Sequence, residues 1–201
     1  MDDVAHFLNV AMFFVLIFGW LIFTALFLAR KKTPKVAESK RDSEFVLGIV
    51  MQMIGYTLIW SVRRPLYSPI LRLGWPFDIA MAAAAFAILA GSIWMAMTAV
   101  GALGKQWSYA ARLVEGHDLI TEGPYALARH PIYAGLFGMM LATGLVMTYW
   151  FVLLAASAIF LIGTNIRTRS EERLLRDEFG AAYESYARRV PALIPRLRNK
   201  G

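Results

Sequence analysis

Side chains able to do chemistry crowd into two stretches of this 201-residue chain. The first contains Gly104-Lys105-Gln106-Trp107-Ser108, then His117-Asp118-Leu119-Ile120, then Gly123-Pro124-Tyr125, and finally Arg129-His130-Pro131-Ile132-Tyr133-Ala134-Gly135. The second is Arg167-Thr168-Arg169-Ser170-Glu171-Glu172-Arg173. Gly123-Pro124 is a turn signal, and Pro131 suits the first position of a helix, with His130 just before it. Amides at such a helix start can receive an anion, for instance a carboxylate. Gly135 on the first turns would let a ligand come close. Ser170 reads as the N-cap of a further helix, whose positive end Glu171 and Glu172 would suit. Neighbouring residues point about 100° apart on a helix, so one glutamate at most is expected to face a ligand. Taken singly, the first stretch also fits a helix-entry loop with interfacial tyrosines and a capping histidine. The second, taken singly, fits dipole compensation and membrane anchoring.

Other chemistries are poorly served. Without cysteine there is no thiolate nucleophile, no disulfide and no Cys-ligated zinc or iron–sulfur cluster. His6, His117 and His130 are far apart in sequence, so no metal site is expected. Neither a Ser–His–Asp nor a paired-carboxylate constellation appears.

The elements that must position these residues are marked by runs without charge. Residues 4–29 and 79–104 carry no Asp, Glu, Lys or Arg, and neither do 45–62 and 130–166. About 20 apolar residues cross about 30 Å of hydrocarbon. The last run is long enough for two spans, turning at Met147-Thr148-Tyr149-Trp150, where Tyr and Trp favour the headgroup level. Five helical spans result, roughly 4–29, 45–62, 79–103, 131–147 and 150–166, because backbone in lipid must bond to itself. The first does not read as a cleaved signal peptide, since Asp2 and Asp3 precede it and its core is long. After the last span, Leu174, Leu175, Phe179, Tyr183 and Tyr186 recur at helical spacing, predicting an amphipathic helix ended by Pro191 and Pro195. The small residues Ala82 to Ala85 and Gly91 are expected to serve helix packing.

Composition agrees. Apolar residues make up 58% and charged residues 17%, against about 45–50% and 25% in soluble domains. A lone water-soluble globule and a disordered chain are both excluded. The expected fold is therefore an all-α, polytopic membrane domain over 1–201. Residues 1–103 form its first three spans and 104–201 a cofactor-binding and catalytic half. If residue 30 onward is cytoplasmic, 18 basic residues lie inside and three outside (Arg63, Arg64, Arg72). The positive-inside rule then puts the N-terminus outside and the C-terminus in the cytoplasm of a plasma or bacterial inner membrane. The net charge of +7 follows from that bias, with anionic lipid rather than nucleic acid as its partner.

Considered together, the two stretches match a known pattern. Gly-Pro-Tyr, three residues, then Arg-His-Pro-Ile-Tyr-Ala-Gly (123–135), a helical hairpin, and Arg-x-x-x-Glu-Glu…Phe-Gly…Tyr…Tyr…Val-Pro…Ile-Pro (167–195) resemble the isoprenylcysteine carboxyl methyltransferases and their phospholipid and thiol methyltransferase relatives. The resemblance covers about residues 100–196; the first two spans carry none of it. It implies binding of S-adenosyl-L-methionine, lined by His117, Asp118, Leu119 and Ile120 and held by Tyr125, His130, Pro131, Ile132 and Tyr133. Glu171 would take its amino group. Arg167 is similar to the arginine that orients the substrate carboxylate. A polar contact of the family corresponds to Ala110 here, so Gln106 would have to supply it. The acceptor implied is a lipophilic, prenylcysteine-like carboxylate entering from the bilayer. Such a group is ionised at neutral pH and needs no general base.

Three alternatives stay open at this point. A sterol-reductase-like NADPH enzyme shares the Gly-Pro-Tyr…Arg-His-Pro-x-Tyr segment, though the tail here lacks the cysteine expected of one. A lipid N- or thiol S-methyltransferase would share the donor site. A non-catalytic membrane scaffold would explain the spans but not two polar stretches on one membrane face.

Overall fold

A computed structural model describes residues 2–28, 43–65, 68–104 and 118–194. Six α-helices follow one another: α1 (Asp2–Leu28), α2 (Ser43–Ser61), α3 (Trp75–Leu103), α4 (Pro131–Met147), α5 (Trp150–Phe179) and α6 (Ala181–Arg189). A 3-10 turn, Gly123–Ala126, precedes α4. All five expected spans are helices, and the fold is all-α. Four of them, His6–Leu28, Glu44–Ser61, Trp75–Leu103 and Trp150–Phe179, are long and apolar enough to cross a membrane. The protein is thus a multi-pass membrane protein, and large side chains such as Phe14, Phe18, Leu21, Trp94 and Leu154 are exposed on its outer surface.

The fifth apolar helix, α4, has 17 residues and rises only about 25 Å. It is the hub of the bundle. Leu16, Phe23, Leu89 and Ala96 from α1 and α3 pack on Met139, Ala142 and Met147. On its other side Ile59 of α2 and Leu153, Ala156 and Phe160 of α5 pack around Met140. Polar ties cross the same helix: Trp20 donates to Thr143 at 3.0 Å and Tyr56 to the Leu136 carbonyl at 2.7 Å. Surrounded by protein, α4 has little need to match the full hydrocarbon thickness.

Helix pairs approach closely at glycines. A Cβ on Gly163 of α5 would sit 2.7 Å from the Gly48 carbonyl of α2, and one on Gly48 would sit 2.7 Å from the Gly163 carbonyl. Contact at Gly48–Gly163 and at Gly55–Ala156 makes α2 and α5 antiparallel. Gly135 and Gly138 of α4 meet α3 in the same antiparallel sense. Gly135 therefore serves helix packing, since its Cβ would lie 3.0 Å from the Ser92 carbonyl; the expected close approach of a ligand is not its role. Gly91, by contrast, has nothing within 4 Å and is not a packing residue.

One boundary differs from expectation. No new helix starts at Ser170: α5 runs unbroken to Phe179, and Ser170 is buried inside it. The glutamates consequently lie in mid-helix and compensate no helix start. The break falls ten residues later, where Gly180 takes φ 48°, a conformation costly for residues with a Cβ. Only α6 then forms a separate amphipathic helix, ending ahead of Pro191.

Candidate functional site

The site is built where the start of α4 meets the charged extension of α5. His130 occupies the N-cap position of α4 but makes no side-chain cap bond. Its ring instead reaches α5, with Nε2 3.1 Å from Glu172 Oε1 and Nδ1 3.4 Å from Glu171 Oε2. Tyr133, one turn into α4, donates its phenol to Glu171 and stacks with His130 at 5.8 Å between centroids. Both glutamates therefore reach one imidazole. They do so because the imidazole's two nitrogens point in different directions and each takes one carboxylate.

Their surroundings separate the two acids. Glu172 Oε1 accepts from Arg129 Nη2 at 2.7 Å and from Arg129 Nε at 3.0 Å, and Glu172 Oε2 accepts from Arg176 at 3.2 Å. Its side chain is 9% exposed, against 23% for Glu171. Glu172 is a structural keystone saturated by arginines; Glu171 is the more open acid. Burial pulls the His130 pKa down, but the hydrogen bonds and charges of the two glutamates outweigh it and hold it above 6.5. The imidazolium form is thereby favoured between its two acids.

The helix α6 and the chain just beyond it complete the wall. Arg129 Nη1 donates to the carbonyls of Ala187 and Val190, at 2.9 and 2.6 Å. The backbone N–H groups of Arg129 and His130 donate to the carbonyls of Pro191 and Ala192, both at 2.9 Å. Tyr186 donates to the Tyr125 carbonyl at 2.7 Å, which pins α6 to the 3-10 turn. Tyr125 is buried there, and its phenol is pushed up by burial and then by Tyr186 and Glu171. With the His130 amide used this way and Pro131 lacking an N–H, the Ile132 and Tyr133 amides are the first-turn donors of α4 that have no backbone partner among the described residues.

Arg167 lies on the α2 side. Its guanidinium carbon is 4.6 Å from the ring centroids of both Phe45 and Tyr133, and Nη1 donates to Gln52 Oε1 at 2.7 Å. Tyr125, His130, Pro131, Tyr133, Arg167 and Glu171 are thus drawn together, and Ile132 is half-buried beside them. Asp118 is exposed and Leu119 and Ile120 half-buried on the chain leading to the turn. His117, Gln106 and Ala110 lie outside the described residues. Arg129, Gln52 and Phe45 carried no assigned role in the sequence, and Glu172 was read there only as a helix-start acid or the alternative to Glu171. Gln52 had a legible signal, an amide inside an apolar span, which in a membrane helix marks a partner or a function. Among the described residues, no group of three or more His, Asp or Glu could hold a metal ion.

Comparison with known proteins bears directly on this arrangement. The family model described as phospholipid methyltransferase matches residues 79–182, which contain α4, all of α5 and both glutamates. The chain belongs to the phospholipid methyltransferase family. Its similarity to protein-S-isoprenylcysteine O-methyltransferase of Schizosaccharomyces pombe is 34% identity over 46% of this chain and 40% of that protein. It is 36% identical to the nickel-cobalt-cadmium resistance protein NccN of Alcaligenes xylosoxydans xylosoxydans over 51% of each. Methanethiol S-methyltransferase 2 of Bradyrhizobium diazoefficiens is 33% identical over 42% of this chain and 31% of that protein. The chain thus spans about half or less of the length of these relatives. The resemblance to isoprenylcysteine carboxyl methyltransferases read from the two motifs agrees with the phospholipid methyltransferase family and with the first of these relatives.

Proposed function

We propose that the protein transfers a methyl group from S-adenosyl-L-methionine to a lipophilic acceptor reaching the site from the bilayer, a prenylcysteine-like carboxylate above all. The observation that carries this reading is the division of labour between the two glutamates. Glu172 is consumed by Arg129 and Arg176, while Glu171 keeps a half-open carboxylate beside Tyr133. That donor set fits the group: Glu171 for an ammonium, the Ile132 and Tyr133 amides for a carboxylate, and apolar Leu119 and Ile120 for an adenine. The bound donor supplies a methyl on a sulfonium, which an acceptor carboxylate can take directly, the C–S electron pair returning to sulfur as the C–O bond forms. The acceptor enters as its anion, so no side chain has to remove a proton. What remains for the protein is to align the reactants and keep water out. His130 fixes the rotamers of both acids. Arg167 orients the acceptor.

The family membership and the methyltransferase names among the relatives support transfer over reduction. The thiol reading draws support only from a relative's name.

In thermal-shift assays S-adenosylhomocysteine should stabilise the protein and NADPH should not. Radiolabelled transfer to N-acetyl-S-farnesylcysteine should give a base-labile ester; a base-stable product would refute the carboxylate acceptor. Glu171→Ala should abolish S-adenosylhomocysteine binding, and Arg167→Ala should cripple transfer while binding persists.

A further inference from the structure

We infer that Gln52, on α2, is a positioning residue that fixes Arg167 for an anionic acceptor without neutralising it. The inference rests on the proposed role of Arg167 above and extends it to a helix outside the matched family segment, 79–182. A guanidinium carries five N–H donors. Among the described residues Arg167 spends one on Gln52 and pairs with no carboxylate, and its Nε is buried without a hydrogen-bond partner. Phe45 and Tyr133 flank it at 4.6 Å each, covering the cation with rings that attract it yet leave its charge unspent.

The amide of Gln52 has only one possible orientation. Arginine has no acceptor, so the atom facing it must be the carbonyl oxygen. The amide nitrogen then donates to the buried Thr164 hydroxyl at 2.8 Å, so the amide is pinned to α5 at both ends. Gly48 and Gly163 let α2 and α5 approach closely enough for those bonds. A glutamate here would hold Arg167 as firmly, but in an ion pair of its own. A neutral amide orients the cation and leaves it available, which an anionic acceptor requires and a merely structural tie does not.

The test uses the full chain in detergent, with N-acetyl-S-farnesylcysteine as acceptor. Gln52→Glu, the near-isostere, should keep S-adenosylhomocysteine affinity within twofold and kcat within threefold while raising the acceptor KM at least tenfold. A merely structural role predicts an unchanged KM, since the new ion pair would be tolerated. Wild-type KM in Gln52→Glu therefore overturns the inference. If that variant does not accumulate folded, Gln52→Met serves instead, with at least a fivefold rise in KM expected and an unchanged KM overturning. Arg167→Ala separates the two ideas: wild-type KM there refutes the role of Arg167 itself. Loss in Arg167→Ala with none in Gln52→Glu refutes Gln52 alone. If the unaltered chain does not methylate the probe, the carboxylate acceptor fails, and this inference with it.

Discussion

His130 shows how one residue's ionisation is tied to the integrity of the site. It is buried between Glu171 and Glu172 and stacked on Tyr133, so its proton bridges α4 to α5. Because its folded pKa lies above 6.5, the stabilisation is complete below about pH 6.5 and is lost as pH climbs through the raised value. Thermal unfolding in detergent should accordingly show a midpoint that falls on the alkaline side of 6.5, and His130→Gln should remove that fall. Imidazole NMR should place the His130 titration above that of an ordinary histidine. The two motifs made His130, Tyr133 and Glu171 legible as residues. The capping assignments held only in part: His130 takes the N-cap position without a side-chain cap bond, and Ser170 lies inside α5. Local sequence favours those caps; the pull of a charged partner across the bundle overrides it.

At the level of elements, the α2–α5 contact decides whether Arg167 meets Gln52. A side chain on Gly163 would press into the Gly48 carbonyl at 2.7 Å and Met51 at 2.8 Å, backbone and packed core that cannot give way. Gly163→Val should lower stability by about 1–3 kcal/mol, the usual cost of overpacking, and raise the acceptor KM as the helices part. Gly91→Ala on α3 meets open space and should be neutral or stabilise by up to about 1 kcal/mol. Unfolding midpoints of the two variants, compared in one detergent, check both. The helices themselves were legible within a few residues at nearly every end, because each uncharged run is long. The exception, α5 running on to Phe179, arises because nothing at 167–170 breaks a helix: the change there is from apolar to charged, and a helix tolerates both.

Over the whole molecule, the site lies at one end of the bundle, where α4 begins and the charged end of α5 emerges. The charge bias predicts a cytoplasmic location for that end. The absence of cysteine makes this directly testable. With Leu73→Cys and Arg189→Cys, both exposed, an impermeant maleimide added to intact cells should label the first and reach the second only after permeabilisation; the opposite pattern inverts the topology. Membrane insertion sums transfer costs over consecutive residues, so the number of spans, their limits and the expected sidedness are written locally in the sequence. The Arg129–Glu172 pair joins residues 43 positions apart, and Gln52–Arg167 joins residues 115 apart. Such meetings depend on how each helix is rotated and how closely its glycines let it approach a neighbour. Only the packed bundle determined which glutamate was spent on arginines, which stayed open, and that α2 supplies a wall of the site.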